Sequence, residues 1–290
     1  MKIGLGTAQF GLDYGVSNKK GKIQINEATK ILEIALRNQI TVLDTAFYYG
    51  DSEQTIGDLL TNNNAFSIVT KTAKFNKEQL TNKDVEILLQ SFSISLERLK
   101  QHSIYCLMFH DANDLLCEGS DLLFTAVSDL KKKGLIRKIG VSIYEASQID
   151  LILKKYPIDL IQFPFNVFDQ RLLKSGHLSQ LKNLGIETHV RSVFLQGLLL
   201  MHPKEVAQKN PLAMHRVEEF YADCTKNGYT QLQATLSFIA SQRYIDYAIV
   251  GVTSGNELNE ILKVLNGDMC TLEWDKYFIE DVNIIDPRKW

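Results

Sequence analysis

Residues 105–142 read YCLMFHDANDLLCEGSDLLFTAVSDLKKKGLIRKIGVS, a strand, a helix and a second strand in immediate succession. The run at 105–110 is nearly continuous in apolar residues rather than alternating, as expected of a parallel strand buried on both faces. The helix-like segment 119–133 ends on Lys131-Lys132-Lys133, where positive charge suits the helix dipole. KIGVS at 138–142 then returns to strand. A helix between two parallel strands is the ordinary crossover unit.

The same unit repeats in both directions. Further strands are expected at 2–8, 42–46, 67–71, 160–165, 187–193 and 247–252. Helices are expected at 26–37 with Asn26 as N-cap, and at 53–61, 81–100, 145–155, 169–184, 230–242 and 254–265. Eight strands each followed by a helix indicate one (β/α)8 TIM barrel over residues 1–290, with long βα loops at the C-terminal face. No Pro/Ser-rich linker divides the chain. The longest connection, about 194–229, carries an extra helix near 213–226; long loops on that face form active sites and lids. An open, doubly wound sheet is the competing topology. Its glycine fingerprint is only partly matched by GLGTAQFG: Gln9 stands at the third-glycine position, and the next helix is expected only near Asn26.

Of the 290 residues, 45% are hydrophobic and 23% charged, with a formal net charge of −2. That is enough apolar material for one large core and offers no basic surface for nucleic acid. The four cysteines (Cys106, Cys117, Cys224, Cys270) show no metal-type spacing, so no metal is expected, and they read as reduced thiols. With no signal-type leader and no apolar run of membrane-spanning length, the expectation is a cytoplasmic protein with no membrane partner.

Reactive groups of a barrel gather at the C-terminal strand ends. Reading those ends gives Asp44, Lys71 and His110 on three consecutive strands, with Tyr49 in the loop after Asp44. A carboxylate, an ammonium, an imidazole and a phenol converging on one spot suit protonation of a carbonyl oxygen. Lys71 is expected to lower the phenol's pKa, Asp44 to hold the ammonium, and His110 to position the carbonyl. Each residue alone has an ordinary reading: a turn aspartate, a solvated lysine, a core histidine, a packed tyrosine. Four coincidences at neighbouring strand ends outweigh them.

LDTAFYYGDSE (43–53), IVTK (68–71), FHD (109–111) and GVS (140–142), in that order, resemble the aldo-keto reductase family across essentially the whole chain. The resemblance implies a barrel that binds NADPH or NADH, without a Rossmann domain, and reduces a small carbonyl substrate. It carries the family's catalytic tetrad onto Asp44, Tyr49, Lys71 and His110, with Tyr49 as the acid. It places Gly6, Thr7 and Asp44 beside the nicotinamide, and Ser142 and Gln162 on its carboxamide. Arg191 stands where many members stack an aromatic ring, and Ile143 where they often have Asn. Ser192, Gln196, Gly197 and Leu198 match the loop around the pyrophosphate. Gly251, Thr253 and Ser254 match the adenosine phosphate end, and Glu260 an acidic residue on the adenine. Glu257 falls where NADPH-selective members have an arginine, which implies weak preference for NADPH at most. A polar rim of Asp13, Tyr14, Asn18 and Tyr48 favours hydroxylated, sugar-like carbonyls. The resemblance implies a monomer or weak homo-oligomer. The other readings are a catalytically silent nicotinamide-binding subunit and an aldolase-type barrel using Lys71 as a Schiff base.

Overall fold

In a computed structural model describing residues 2–60 and 65–290, eight parallel strands close into a barrel in sequence order. β1 (Lys2–Gly6) is followed by a one-turn helix, α1 (Ala8–Gly11), a long loop and α2 (Ile25–Arg37). β2 (Val42–Asp44) leads to α3 (Ser52–Leu59), β3 (Ser67–Lys71) to α4 (Asn82–Leu99), and β4 (Ile104–Phe109) to α5 (Ser120–Lys132). β5 (Ile136–Ser142) leads to α6 (Ala146–Lys155), and β6 (Leu160–Pro164) to α7 (Arg171–Lys174) and α8 (His177–Asn183). After β7 (Glu187–Arg191) come α9 (Pro203–Lys209), α10 (Pro211–Lys226) and α11 (Gln231–Ala240). β8 (Tyr247–Gly251) and α12 (Gly255–Leu265) complete the barrel, and α13 (Val282–Ile285) lies in the tail. β8 closes on β1 from Lys2–Tyr247 to Gly6–Gly251.

The eight expected strands all form. Several local readings change. α2 starts at Ile25 behind Gln24, with no side-chain cap bond, so Asn26 lies inside the first turn. The helix expected over 169–184 breaks at Gly176, whose φ of 80° is left-handed. A short helix does follow β1 directly, although none was expected before Asn26. The end of the expected 53–61 helix, residue 61, lies outside the described residues.

Two cores result from strand parity, since alternate side chains point to opposite faces. Val42, Val69, Cys106, Met108, Leu160 and Ile249 form a small cluster inside the barrel. Leu43, Ile68, Leu107, Ile161 and Val250, one residue along, belong to the larger core beneath the helices. Counting two residues upward from the inner layer reaches Asp44, Lys71, His110, Gln162 and Gly251. The same parity puts Gly6, Ser142 and Arg191 on that inward face. The top ring of the barrel is therefore one inward-facing position from every strand or its immediate end.

Candidate active site

At that ring Asp44 is the hub. Its Oδ2 accepts from Lys71 Nζ at 2.8 Å and its Oδ1 from Gln162 Nε2 at 2.7 Å. Lys71 also donates to the Thr45 carbonyl at 2.8 Å and is only 2% exposed. A buried ammonium persists only when paired and hydrogen-bonded, and these contacts supply both. The Asp44–Gln162 bond joins β2 to β6 across 118 positions of sequence and was not anticipated.

Tyr49 sits in the turn between β2 and α3, its N–H donating to the Ala46 carbonyl at 2.9 Å. The turn presses against α1 so closely that a Cβ at Gly11 would lie 1.8 Å from the Tyr49 carbonyl oxygen. Lys71 Nζ lies 5.0 Å from the Tyr49 ring centre, and the His110 ring meets Tyr49 edge-on at 6.0 Å between centroids.

The electrostatics differ in one respect from the sequence reading. Burial, and secondly the Asp44 carboxylate, push the Tyr49 phenol above its ordinary value. The Arg191 charge acts against this rise, but the phenol is on balance raised rather than lowered. Burial, then the charges of Lys71, Lys74 and Arg191, push His110 down to about 2. The imidazole is thus neutral at neutral pH, and its Nδ1 is buried without a partner among the described residues.

A cleft of about 540 Å³ opens above this ring, within the range of small-molecule and cofactor sites (~300–1,000 Å³). Gly6, Thr7, Asp44, Tyr49, Arg191, Ser192, Gln196, Gly197, Gly251, Thr253, Glu257 and Glu260 line it. Ser142 lies beside Gln162 in the β5–β6 register. Gln162 is fully buried and its Oε1 has no partner among the described residues, an acceptor that the amide NH₂ of a nicotinamide carboxamide would satisfy. Gln9, missed in sequence, also lines the cleft and abuts Gly251.

Three of the expected residues have other partners or surroundings as well. Leu198 is buried in the core rather than facing the cleft. Ser254 serves as the α12 cap, accepting from the Glu257 N–H. Glu257 accepts from the Thr253 N–H at 2.7 Å and hydroxyl at 2.6 Å. Glu27, from α2, accepts from the Gly255 N–H at 2.7 Å. Of the residues expected at the phosphate end, Thr253 is thus engaged by the chain's own Glu257, as is the neighbouring Gly255 by Glu27. At the rim, Asn18 turns its amide back onto the carbonyls of Tyr14 and Gly21, while Tyr14 lines the cleft. Arg191 stacks on Tyr144, its guanidinium carbon 4.1 Å from the ring centre.

A closed parallel barrel with this ring defines a class, and the comparisons agree. The chain matches the Aldo/keto reductase family over residues 2–278; it belongs to that family of oxidoreductases. It is 23% identical over 289 residues to the uncharacterized oxidoreductase YqkF of Bacillus subtilis, covering 94% of this chain and 89% of that protein. Glyoxal reductase of Bacillus subtilis is 29% identical over 198 residues, 63% of this chain and 67% of the relative. Among solved structures, the holo form of aldo-keto reductase AKR11C1 from Bacillus halodurans superposes with a TM-score of 0.74 at 19% identity, covering 95% and 90% of the two chains. Members of the family generally act on small carbonyl compounds with NAD(P)H. No helix among the described residues is long and apolar enough to cross a membrane.

Proposed function

We propose that this chain, acting as one catalytic domain in the cytoplasm, reduces an aldehyde or ketone to an alcohol, with Tyr49 as the acid. The observation that carries this reading is the buried Lys71–Asp44 pair, 2.8 Å long, set beneath a protonated Tyr49 in the cleft. A bound nicotinamide dinucleotide would supply the hydride. Gln162 Oε1 and Ser142 would hold its carboxamide; Gly6, Thr7, Ser192, Gln196, Gly197, Gly251 and Thr253 would form its channel, with Glu260 at the adenine end.

The raised pKa keeps Tyr49 protonated until a carbonyl oxygen arrives to take its proton. When the proton leaves, Lys71 is close enough to stabilise the phenolate, and Asp44 keeps that ammonium fixed. Neutral His110 can direct a ring N–H at the same oxygen, adding no charge of its own. The carboxylates Glu27 and Glu257 around the α12 N-terminus favour a ribose hydroxyl there over a phosphate, so NADH is usable and NADPH is not strongly preferred.

The test is a panel of small aldehydes and ketones with NADH and NADPH, following loss of the reduced nicotinamide. Wild type should turn over part of the panel, and Tyr49→Phe should lower kcat by about 10²-fold or more, the usual loss for a general acid. A variant keeping more than half the wild-type rate would remove Tyr49 from the mechanism. Failure of wild type on every carbonyl with both cofactors would remove the reading itself.

A further inference from the structure

Arg191 is a cation of the cleft that has no carboxylate partner among the described residues. It ends β7 and lines the cleft together with Asp44 and Tyr49. Its guanidinium lies on Tyr144, and one Nη donates to the Ile143 carbonyl at 3.2 Å. Among the described residues Nε and the other Nη have no acceptor, and no carboxylate lies within ion-pair distance. The surrounding charges are already matched. Asp44 is held by Lys71. Asp286, the carboxylate that feels Arg191, is held on both oxygens by Arg288, which stacks on the same Tyr144 ring at 3.2 Å.

A half-buried guanidinium on a cleft wall, with N–H groups that the protein does not take up, is available to a ligand anion. Its fork geometry matches a carboxylate in two parallel hydrogen bonds. Arg191 lines the same cleft as Tyr49 and Tyr14, so an anion bound there would share that cleft with the reacting carbonyl.

We infer that the substrate is an oxo acid, a small aldehyde or ketone bearing a carboxylate that Arg191 binds while the carbonyl rests at Tyr49. Hydroxylated carbonyls, which the polar rim favours, belong to this class only when they also carry an acid group. The inference rests on the reductase reading for its chemistry, and on Arg191 alone for its selectivity.

Matched substrates test it: 4-oxobutanoate against its methyl ester, in wild type, Arg191→Gln and Arg191→Lys. Wild type should prefer the acid in kcat/KM by about 10-fold or more, the scale of a charge-assisted contact. Arg191→Gln should bring the acid-to-ester ratio to about one, and Arg191→Lys should restore part of it. An equal rate on acid and ester in wild type overturns the proposal while leaving the reductase reading intact. So does a ratio that survives Arg191→Gln, as it would if the arginine served only the dinucleotide's phosphates. Succinate, which has no carbonyl to reduce, gives a readout independent of turnover. Calorimetry should show it binding wild type and weakening at least 10-fold in Arg191→Gln; no binding to wild type overturns the proposal whether or not the chain is a reductase.

Discussion

Lys71 and Asp44 depend on each other more than on anything else in the site. Their side chains are 1% and 6% exposed, so removing one leaves the other charged and unpaired in low dielectric. Breaking a buried pair in this way costs about 3–5 kcal/mol. Lys71→Met should therefore lower both stability and kcat. Adding Asp44→Leu should recover much of the stability in urea denaturation and none of the activity. Recovery of both would mean that the pair serves folding alone. These residues were legible because each occupies a strand end and parity points them inward. The second contact of the hub, Gln162 to Asp44, was not: it joins residues 118 apart, and no local pattern encodes which inward side chains will touch. Sequence proximity misled in one instance. The expected lowering of the Tyr49 phenol took no account of its burial, the largest influence on it.

α12 shows how an element's end acquires its own ligand. Ser254 caps it, Glu257 bonds back to Thr253, and Glu27 reaches across from α2 to Gly255. Hydrogen bonding to Gly255 holds Glu27 below the ordinary carboxylate range, so it is charged at neutral pH. Glu27→Gln with Glu257→Gln should keep these bonds while removing two negative charges. The ratio of NADPH to NADH affinity should then rise about tenfold, as each decade corresponds to about 1.4 kcal/mol. Fluorescence titration of both cofactors measures it, and an unchanged ratio would show that neither carboxylate meets the adenosine end. Glu257 and Ser254 were readable as a turn of helix, whereas Glu27 belongs to another element and carried no signal. Strand positions were legible from apolar runs. The break at Gly176 was not, because a glycine inside helical periodicity is compatible with either continuation or a stop.

At the scale of the whole barrel, the end opposite the cleft is closed by charge. Glu187 accepts from Tyr105 at 2.8 Å and Lys138 at 2.6 Å, and pairs with His189 at 2.9 Å, joining β4, β5 and β7. Burial opposes its ionisation, but these bonds outweigh burial and hold it at about 2, against an ordinary value of 4.5. Because the folded value lies below the unfolded one, its stabilisation is complete above about pH 4.5 and is lost as pH falls toward 2. Glu187→Gln should thus lower stability at neutral pH by roughly 1–3 kcal/mol and flatten the acid limb of a denaturation profile. An acid limb as steep as wild type would assign it to other groups. The closure of β8 onto β1 bears also on how the chain is made. β1 leaves the ribosome first, and its partner strand begins only at residue 247. At ~5–20 residues per second, β1 waits on the order of ten to fifty seconds with one edge unpaired. Until then β7 lacks its outer neighbour too, and two exposed strand edges are templates for aggregation. Nascent chains stalled before residue 247 should bind holdase chaperones and resist native assembly, whereas chains released past β8 should escape both.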